Sequence, residues 1–528
     1  MDHISNVSSR ARFTLFSFQW FQALLLILTA LVALSFFVGA VKFLPVQSDN
    51  MYPEAAGVLS AQRWARGFSL YEDYRQPPYL TASFPPVWYG ILAITAKLGL
   101  RDLNALTFFG RFLSLACLLG VTVIGFAWNR KSGHRSGLAL LTPLFYLSIP
   151  ILIPWAVTAR PDFPGLFLVF LALYLASVRS TTTSVCVAAA LAAMGCLVRH
   201  NAVAVPVAVV LWLAWSRRWK QAGIFCAVWS LLVGSALLIV QGTSHGLLLL
   251  NISGAKFGEF ALTYVRDVLG RLLVAQGHGF VIALFAFGIF GFAETWREQD
   301  RRGRLICIYL LVSFGLAILG SAARGAAVNH YLEPTLALAL LIPSGMASLR
   351  TAWKADSPLA LFSTVIILVL LLPALDAQRW DLMHRHPDDL RNIVALAADK
   401  PVLTDIPYIA ARTSSLELLD PASLTNMERS GAWSSAALTH ALQKKKYELV
   451  ILSERVDTSS SNLTTTYPRY PHLDSAVQMA IAENYGLCFQ VDTTYVYSPL
   501  SGDGLLVAGS CPSVQRIVLK KVAQVARP

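Results

Sequence analysis

The feature that most constrains this chain is a series of apolar runs, each of roughly bilayer thickness, recurring through its first 374 residues. Hydrocarbon offers no water to satisfy backbone N–H and C=O groups, so a run that crosses a membrane closes its hydrogen bonds on itself and becomes a helix. About 20 residues suffice for a core of roughly 30 Å. The first such run covers residues 18 to 44. Composition agrees, with 55% hydrophobic residues, 14% charged and a mean hydropathy of +0.55, which is not the balance of a soluble chain. The chain reads as a polytopic α-helical membrane protein.

The net charge of +13 raises the question of a nucleic-acid partner. Its distribution answers it: up to residue 374 there are 28 basic and 14 acidic residues, and beyond it 15 and 16. All the excess lies among the apolar runs, clustered in short connections, as the positive-inside bias requires without any nucleic acid. No P-loop, dinucleotide-type glycine fingerprint or Asp-x-Asp pair occurs, so soluble nucleotide-sugar chemistry finds no support.

By length, spans are expected at 18 to 44, 104 to 128, 136 to 157, 163 to 178, 182 to 198, 202 to 216, 221 to 242, 279 to 295, 304 to 323, 332 to 349 and 357 to 374, eleven in all. Residues 85 to 99, "PPVWYGILAITAKLG", hold an apolar core of only about eleven residues, the length of an interfacial or re-entrant helix. With that segment on the surface, "NRKSGHR", "SRRWK", "WREQDRRGR" and "LRTAWK" all fall on the inner side. A second surface helix is expected from 53 to 66, with Pro53 at its start and Gly67 after its end. Arg10 and Arg12 precede a first run too long for a signal-peptide core, so that span is expected to be retained with the N-terminus inside. The expected organisation is a transmembrane domain, 1–374, whose first outer loop runs from about 45 to 103, followed by an extracytoplasmic domain, 375–528.

That tail is near-neutral, with strand-like "PVLTD", "YELVILS" and "LCFQVDTTYVY" and helix-like "SSAALTHALQKKK" and "SAVQMAIAENYG", which together predict a small α/β domain. Cys117, Cys186, Cys196, Cys226 and Cys307 lie in apolar runs without metal-ligand spacing and read as small hydrophobes. Cys488 and Cys511 lie in the tail and are able to bridge in an oxidising compartment.

On this topology the unusual polar residues gather at the outer ends of spans: Asp49 and Glu54 in "QSDNMYPEAAG", Arg160 and Asp162 in "ARPDFPG", Arg199 and His200 in "VRHNA", and Arg324, Asn329, His330, Tyr331 and Glu333 in "ARGAAVNHYLEP". Charge at membrane depth is costly, so each residue either pairs or serves a substrate. Both readings stay open for Arg160 and Asp162, which are close enough to form an ion pair; Arg199 is able to snorkel, and Glu54 suits the first turn of a helix on dipole grounds alone. Lys256, Arg266 and Arg271 mark a solvated face that suits lipid headgroups. The stretch "YEDYRQPPYLTASFPPVWY", which contains Tyr79, carries five Tyr or Trp and four Pro in nineteen residues, a rigid surface suited to sugars or to the headgroup belt.

In order, the acidic segment after the first span, "GFSLYED", "PPYLTASFPPVWYG", "GRFLSLACLLGVTVIGFAW" and "ARPD" resemble the GT-C integral membrane glycosyltransferases, the group of protein O-mannosyltransferases and aminoarabinose transferases. The likeness covers roughly residues 15 to 350 in layout and is sharpest over 47 to 165. It implies a bacterial inner-membrane glycosyltransferase with a periplasmic tail. The implied donor is a polyprenyl-phosphate sugar, the acceptor a glycan, lipid or protein, with a divalent metal as a possible aid. It also implies an acidic catalytic base early in the first outer loop, for which Asp49 is the match. Relatives often have Asp-Glu there, whereas this chain has Asp49-Asn50 and a displaced Glu54, which leaves the identity of the base open between the two carboxylates. Donor phosphate and substrate contacts are expected from Arg160, Asp162, Arg199, His200, Arg324, His330, Tyr331, Glu333 and Tyr79. Two other classes compete: a flippase or transporter of lipid-linked substrates, which usually shows internal repeats not found here, and a non-catalytic membrane scaffold.

Overall fold

Apolar runs longer than a turn or two have one way to satisfy their backbone in lipid, and the computed structural model of the chain is helical at the expected positions it describes. The described residues are 2–46, 52–149, 152–179, 181–254, 260–274, 278–298, 300–323, 326–353, 387–413, 417–456, 473–491 and 494–501. The helices are α1 (Asp2–Phe43), α2 (Tyr52–Ala65), α3 (Pro86–Lys97), α4 (Leu103–Lys131), α5 (Ser136–Leu147), α6 (Leu152–Ala156), α7 (Asp162–Val178), α8 (Thr182–Val198), α9 (Ala204–Trp215), α10 (Trp219–Thr243), α11 (Leu247–Gly254), α12 (Leu262–Val274), α13 (His278–Glu298), α14 (Arg301–Ser321) and α15 (Leu332–Trp353). Among the described residues, five stretches are long and apolar enough to cross a membrane: Gln19–Phe43, Leu103–Lys131, Trp219–Thr243, Arg301–Ser321 and Val328–Thr351. Four shorter apolar helices, α5, α7, α8 and α9, accompany them. The expected span 136 to 157 is two helices, because α5 ends at Leu147, where Ser148 returns its hydroxyl to Leu144 O, and Ile149 precedes Pro150, which disfavours a helical backbone. The expected span 357 to 374 lies outside the described residues.

The chain forms two compact units, one of Met1–Pro45, Arg111–Leu238 and Phe260–Trp380, the other of Val46–Gly110, Ile239–Glu259 and Asp381–Pro528. In the first unit, burial separates the helices by role. The apolar window of the stretch containing α15 is 78% buried within the protein and that of α10 only 6%, so α15 is a packing core and α10 needs lipid for its cover.

The second unit joins the two short helices α2 and α3 to a mixed sheet. Helix α2 ends at Ala65 and is closed by Gly67, whose left-handed backbone (φ +96°) lets Phe68 N–H reach back to Arg63 O at 3.2 Å. The tail adds α16 (Pro387–Ala397), β1 (Val402–Thr404), α17 (Pro407–Ala410), β2 (Glu417–Leu418), α18 (Pro421–Arg429), α19 (Ala436–Gln443), β3 (Leu449–Leu452), α20 (Ser475–Asn484), β4 (Tyr485–Val491) and β5 (Thr494–Pro499). The strand order is β2-β1-β3-β5-β4, with β1 parallel to β2 and β3, and β5 antiparallel to β3 and β4. "LCFQVDTTYVY" therefore spans both arms of a hairpin. Cys488 in β4 is disulfide-bonded; Cys511 lies outside the described residues.

The aromatic loop is built into this unit. Leu418 N–H donates to Pro78 O at 3.0 Å, Thr81 Oγ1 to Asp420 Oδ2 at 3.1 Å, and the Trp433 indole to Arg75 O at 2.9 Å. Buried Asn251 in α11 donates to Glu72 O and accepts from Ala82 N–H, both at 2.9 Å, so one carboxamide ties two ends of the loop.

Candidate functional site

Within the first unit, the charges that the sequence leaves at span ends converge on one carboxylate. Asp162 opens α7; Arg160 lies two residues earlier in the preceding turn, Arg199 follows α8, and Asn329 lies in the 3-10 turn Val328–Tyr331 before α15. Arg160 Nε sits 2.9 Å from Asp162 Oδ2 and Arg199 Nε 3.3 Å from Oδ1. Asn329 Nδ2 donates to Oδ1 at 2.8 Å, and Arg199 Nη2 donates to Asn329 O at 3.1 Å. Asp162 is 1% exposed and Arg199 3%, so the snorkelling reading of Arg199 does not hold in this structure. Dehydrating such ions costs several kcal/mol each, and only closely matched partners offset it.

The frame around these ions is equally specific. Ser114 Oγ donates to Thr158 O (2.8 Å) and is also within 3.1 Å of Arg160 O, fixing the turn, and the Arg160 guanidinium lies 4.7 Å over the Trp155 ring. Glu333, buried in α15, accepts from Tyr309 OH at 3.2 Å and is near enough to Arg199 to attract it. Tyr146 OH donates to Leu332 O at 3.1 Å. Two cations and two carboxylates thus hold the ends of α7, α8 and α15 in fixed relation.

The other expected residues are placed as follows. His330 packs on Gly320, where a Cβ would lie 2.5 Å from its Nδ1. Tyr331 is buried edge-on to Phe314 in a cluster with Val268, Leu272 and Val281, and His200 is half-buried. Glu54 and Tyr79 belong to the second unit. Glu54 is fully buried in the first turn of α2, which a helix-dipole role at a solvated end does not require. Tyr79 adopts a left-handed backbone (φ +57°) and lies in a core with Tyr74, Leu419, Tyr447 and Tyr485. Burial, then the nearby Glu417 carboxylate, push its phenol up to about 12. Glu417 in turn accepts from Tyr447 OH and Lys446 Nζ. On the same loop the Arg75 hydrogen bond holds the Asp73 carboxyl below its ordinary range. Asp49 and Arg324 lie outside the described residues.

Sequence reasoning passed over Arg111, which is fully buried in α4 with its guanidinium 4.9 Å from the Phe43 ring. Its signal was present as a lone charge inside the expected span 104 to 128. Among the described residues, no three His, Cys, Asp or Glu side chains form a group that could hold a metal ion.

No known family profile matches the chain. No curated protein matches it in sequence. Among solved structures, it superposes on ArnT from Cupriavidus metallidurans bound to undecaprenyl phosphate with a TM-score of 0.55 and 11% identity, over 89% of this chain and 98% of that one. The apo state of the same protein gives a TM-score of 0.55 and 11% identity over 88% and 97%. The likeness is one of fold: along most of its length this chain has the fold of ArnT.

Proposed function

We propose that this chain is a membrane glycosyltransferase that moves a hexosyl or pentosyl group from a polyprenyl-phosphate carrier to an acceptor on the extracytoplasmic face of a bacterial inner membrane. The observation that carries this reading is a fold shared with ArnT along nearly the whole of both chains, ArnT having been crystallised with undecaprenyl phosphate. The outer-end polar clusters and the aromatic loop of the sequence support it, since a lipid-linked donor presents its phosphate and sugar at the edge of the bilayer.

An acceptor hydroxyl is a poor nucleophile near neutral pH. In the proposed reaction the Asp49 carboxylate takes its proton while the oxygen bonds to the anomeric carbon. The bond from that carbon to the phosphate oxygen breaks, its electron pair leaves with the polyprenyl phosphate, and the configuration inverts. Arg160, Arg199, Arg324 and His330 are assigned to the charge that grows on the phosphate, where donors already fixed in position are worth most. Asp162, Asn329 and Glu333 hold the guanidinium groups in place, while His200 and Tyr331 flank them in sequence. The loop containing Tyr79 and the tail domain 375–528 are assigned to the acceptor.

The test is transfer of labelled sugar from a polyprenyl-phosphate donor in membranes carrying the chain. Asp49→Asn is expected to lower transfer by about 10²–10⁴-fold with donor binding retained, and Glu54→Gln by much less. The reverse order would make Glu54 the base. If neither substitution altered glycosylation of any acceptor, the enzymatic reading would fail.

A further inference from the structure

Far from the Asp162 cluster, the first unit carries a second concentration of charge that the proposed chemistry does not use. Helix α9 starts five residues after Arg199 and ends at Trp215, so about 18 Å of helix separates the two places. Beyond Trp215 the chain turns through Arg217 and Arg218 into α10, which opens with Trp219 and Lys220. Helix α13 ends nearby with Trp296 and Arg297, and α14, packed along α9, begins with Arg301, Arg302 and Arg304.

Contacts tie these ends into one surface. The Trp212 indole donates to Arg301 O at 3.0 Å, and the Arg301 guanidinium lies 4.8 Å over the same ring. Trp215 meets Trp296 edge-on at 6.1 Å, and Trp296 stacks on Phe292 at 5.8 Å. Arg302 donates to Lys131 O at the end of α4, which extends the basic arc to Arg130 and Lys131. Arg218 is close enough to Arg301 to repel it. The acids here are Glu294, Glu298 and Asp300, and Asp300 is committed to capping α14 through Gly303 N–H. Among the described residues, none of Arg217, Arg218, Lys220, Arg297, Arg301, Arg302 and Arg304 forms an ion pair with a carboxylate.

Two details distinguish this surface from a general excess of positive charge. Arg217 holds a left-handed backbone (φ +55°) where Gly or Asn normally closes a helix, keeping a cation at a sterically costly position. Trp215 and Trp219 are 62% and 69% exposed beside it; their rings are apolar and their indole N–H groups polar, the pairing that settles at the level of headgroups. Mutually repelling arginines that are not ion-paired to a carboxylate are relieved by an anion, and guanidinium binds a phosphate through two parallel N–H···O bonds.

We propose that the joined ends of α9, α10, α13 and α14 bind the phosphodiester headgroup of an anionic phospholipid between Arg218 and Arg301, with Trp215 and Trp219 at the lipid's glycerol level. The site is separate from the donor site and independent of the reaction assigned there.

The experiment uses the full chain in nanodiscs or lipid-detergent micelles and reads retained phosphatidylglycerol by native mass spectrometry, with phosphatidylcholine as the neutral competitor. The wild type is expected to enrich phosphatidylglycerol, Arg218→Gln and Arg301→Gln each to lower the enrichment about fivefold, and the Lys variants at both positions to fall between wild type and Gln, because they keep the charge but lose the paired N–H···O bonds. Lys444→Gln, in the tail, is expected to leave it unchanged. A wild type without preference for phosphatidylglycerol overturns the proposal whatever the variants do, as does equal enrichment in the paired Gln variant. Displacement of the lipid by inorganic phosphate at micromolar concentration also overturns it, since the surface would then be a free-phosphate site.

Discussion

Asp162 is the residue on which most of the buried ionic network depends: both its oxygens are occupied, by Arg160 on one side and by Arg199 and Asn329 on the other. Replacing it by Asn leaves two guanidinium groups facing a neutral carboxamide in a buried place. Breaking one partner of such a pair costs about 3–5 kcal/mol, far more than an exposed pair is worth. Asp162→Asn is therefore expected to lower the melting temperature sharply, whereas Asp73→Asn, which removes the half-buried partner of the exposed Arg75, changes it little. Equal shifts in the two variants would show that the network does not carry the load described. Asn329→Ala is expected to fall between them, at about 1–3 kcal/mol, because it removes one hydrogen bond to a charged group. The residues of this network were partly legible beforehand. A charge at the end of an apolar run is conspicuous, and Arg160, Asp162, Arg199 and Glu333 all show that signature. What a sequence lacks is any mark joining Asp162 to Asn329 or Glu333 to Tyr309, because pairing across helices obeys no spacing rule.

At the scale of elements, helix existence follows from apolar length and helix ends follow from turn chemistry, which is why α2 and α3 fall within a residue or two of the expected 53–66 and 85–99. The break between α5 and α6 was less legible, since composition stays apolar across it and Ser148 acts through a local backbone contact. Helix contact itself leaves a fainter trace. Helices α13 and α15 approach until backbone meets backbone: a Cβ at Gly291 would lie 2.0 Å from Leu341 O, and one at Gly345 would lie 2.2 Å from Phe287 O. No rotamer relieves a clash with a carbonyl, so the helices would have to separate and lose packing along their length. Gly291→Ala is expected to destabilise by at least the roughly 1–3 kcal/mol of ordinary overpacking. Gly315→Ala in α14 meets nothing within 4 Å and is expected to be neutral or slightly stabilising. Thermal unfolding of the two variants in the same detergent checks this, and equal stabilities would contradict the close approach.

For the whole molecule, the less predictable fact is that one compact unit is assembled from three segments far apart in the chain, 46–110, 239–259 and 381–528. The aromatic loop's backbone and side chains bond to β2, α11 and the start of α18, and Tyr74 and Tyr79 are part of the hydrophobic core formed with residues 403–497. Such pairings between distant segments carry no periodicity, so sequence reading divides the same residues into a loop and a tail. A prediction follows from the loop's own chemistry. With four prolines and few internal hydrogen bonds, residues 71–89 have little means of holding one conformation alone, and the left-handed Tyr79 in particular depends on its surroundings. A chain ended after residue 380 lacks the partners of Pro78 O, Thr81 Oγ1 and Arg75 O and most of the core around Tyr79. Limited proteolysis is expected to cut that shortened protein within 68–84 under conditions that leave the full chain intact there, while the helices α13 to α15 remain protected in both. The narrower substitution Asp420→Ala removes the acceptor of Thr81 and the cap of α18 together, and intermediate cleavage at the loop is expected from it. Equal resistance in all three proteins would mean that the loop holds its shape unaided, and its contacts with the tail would then be a consequence of its conformation, not the cause.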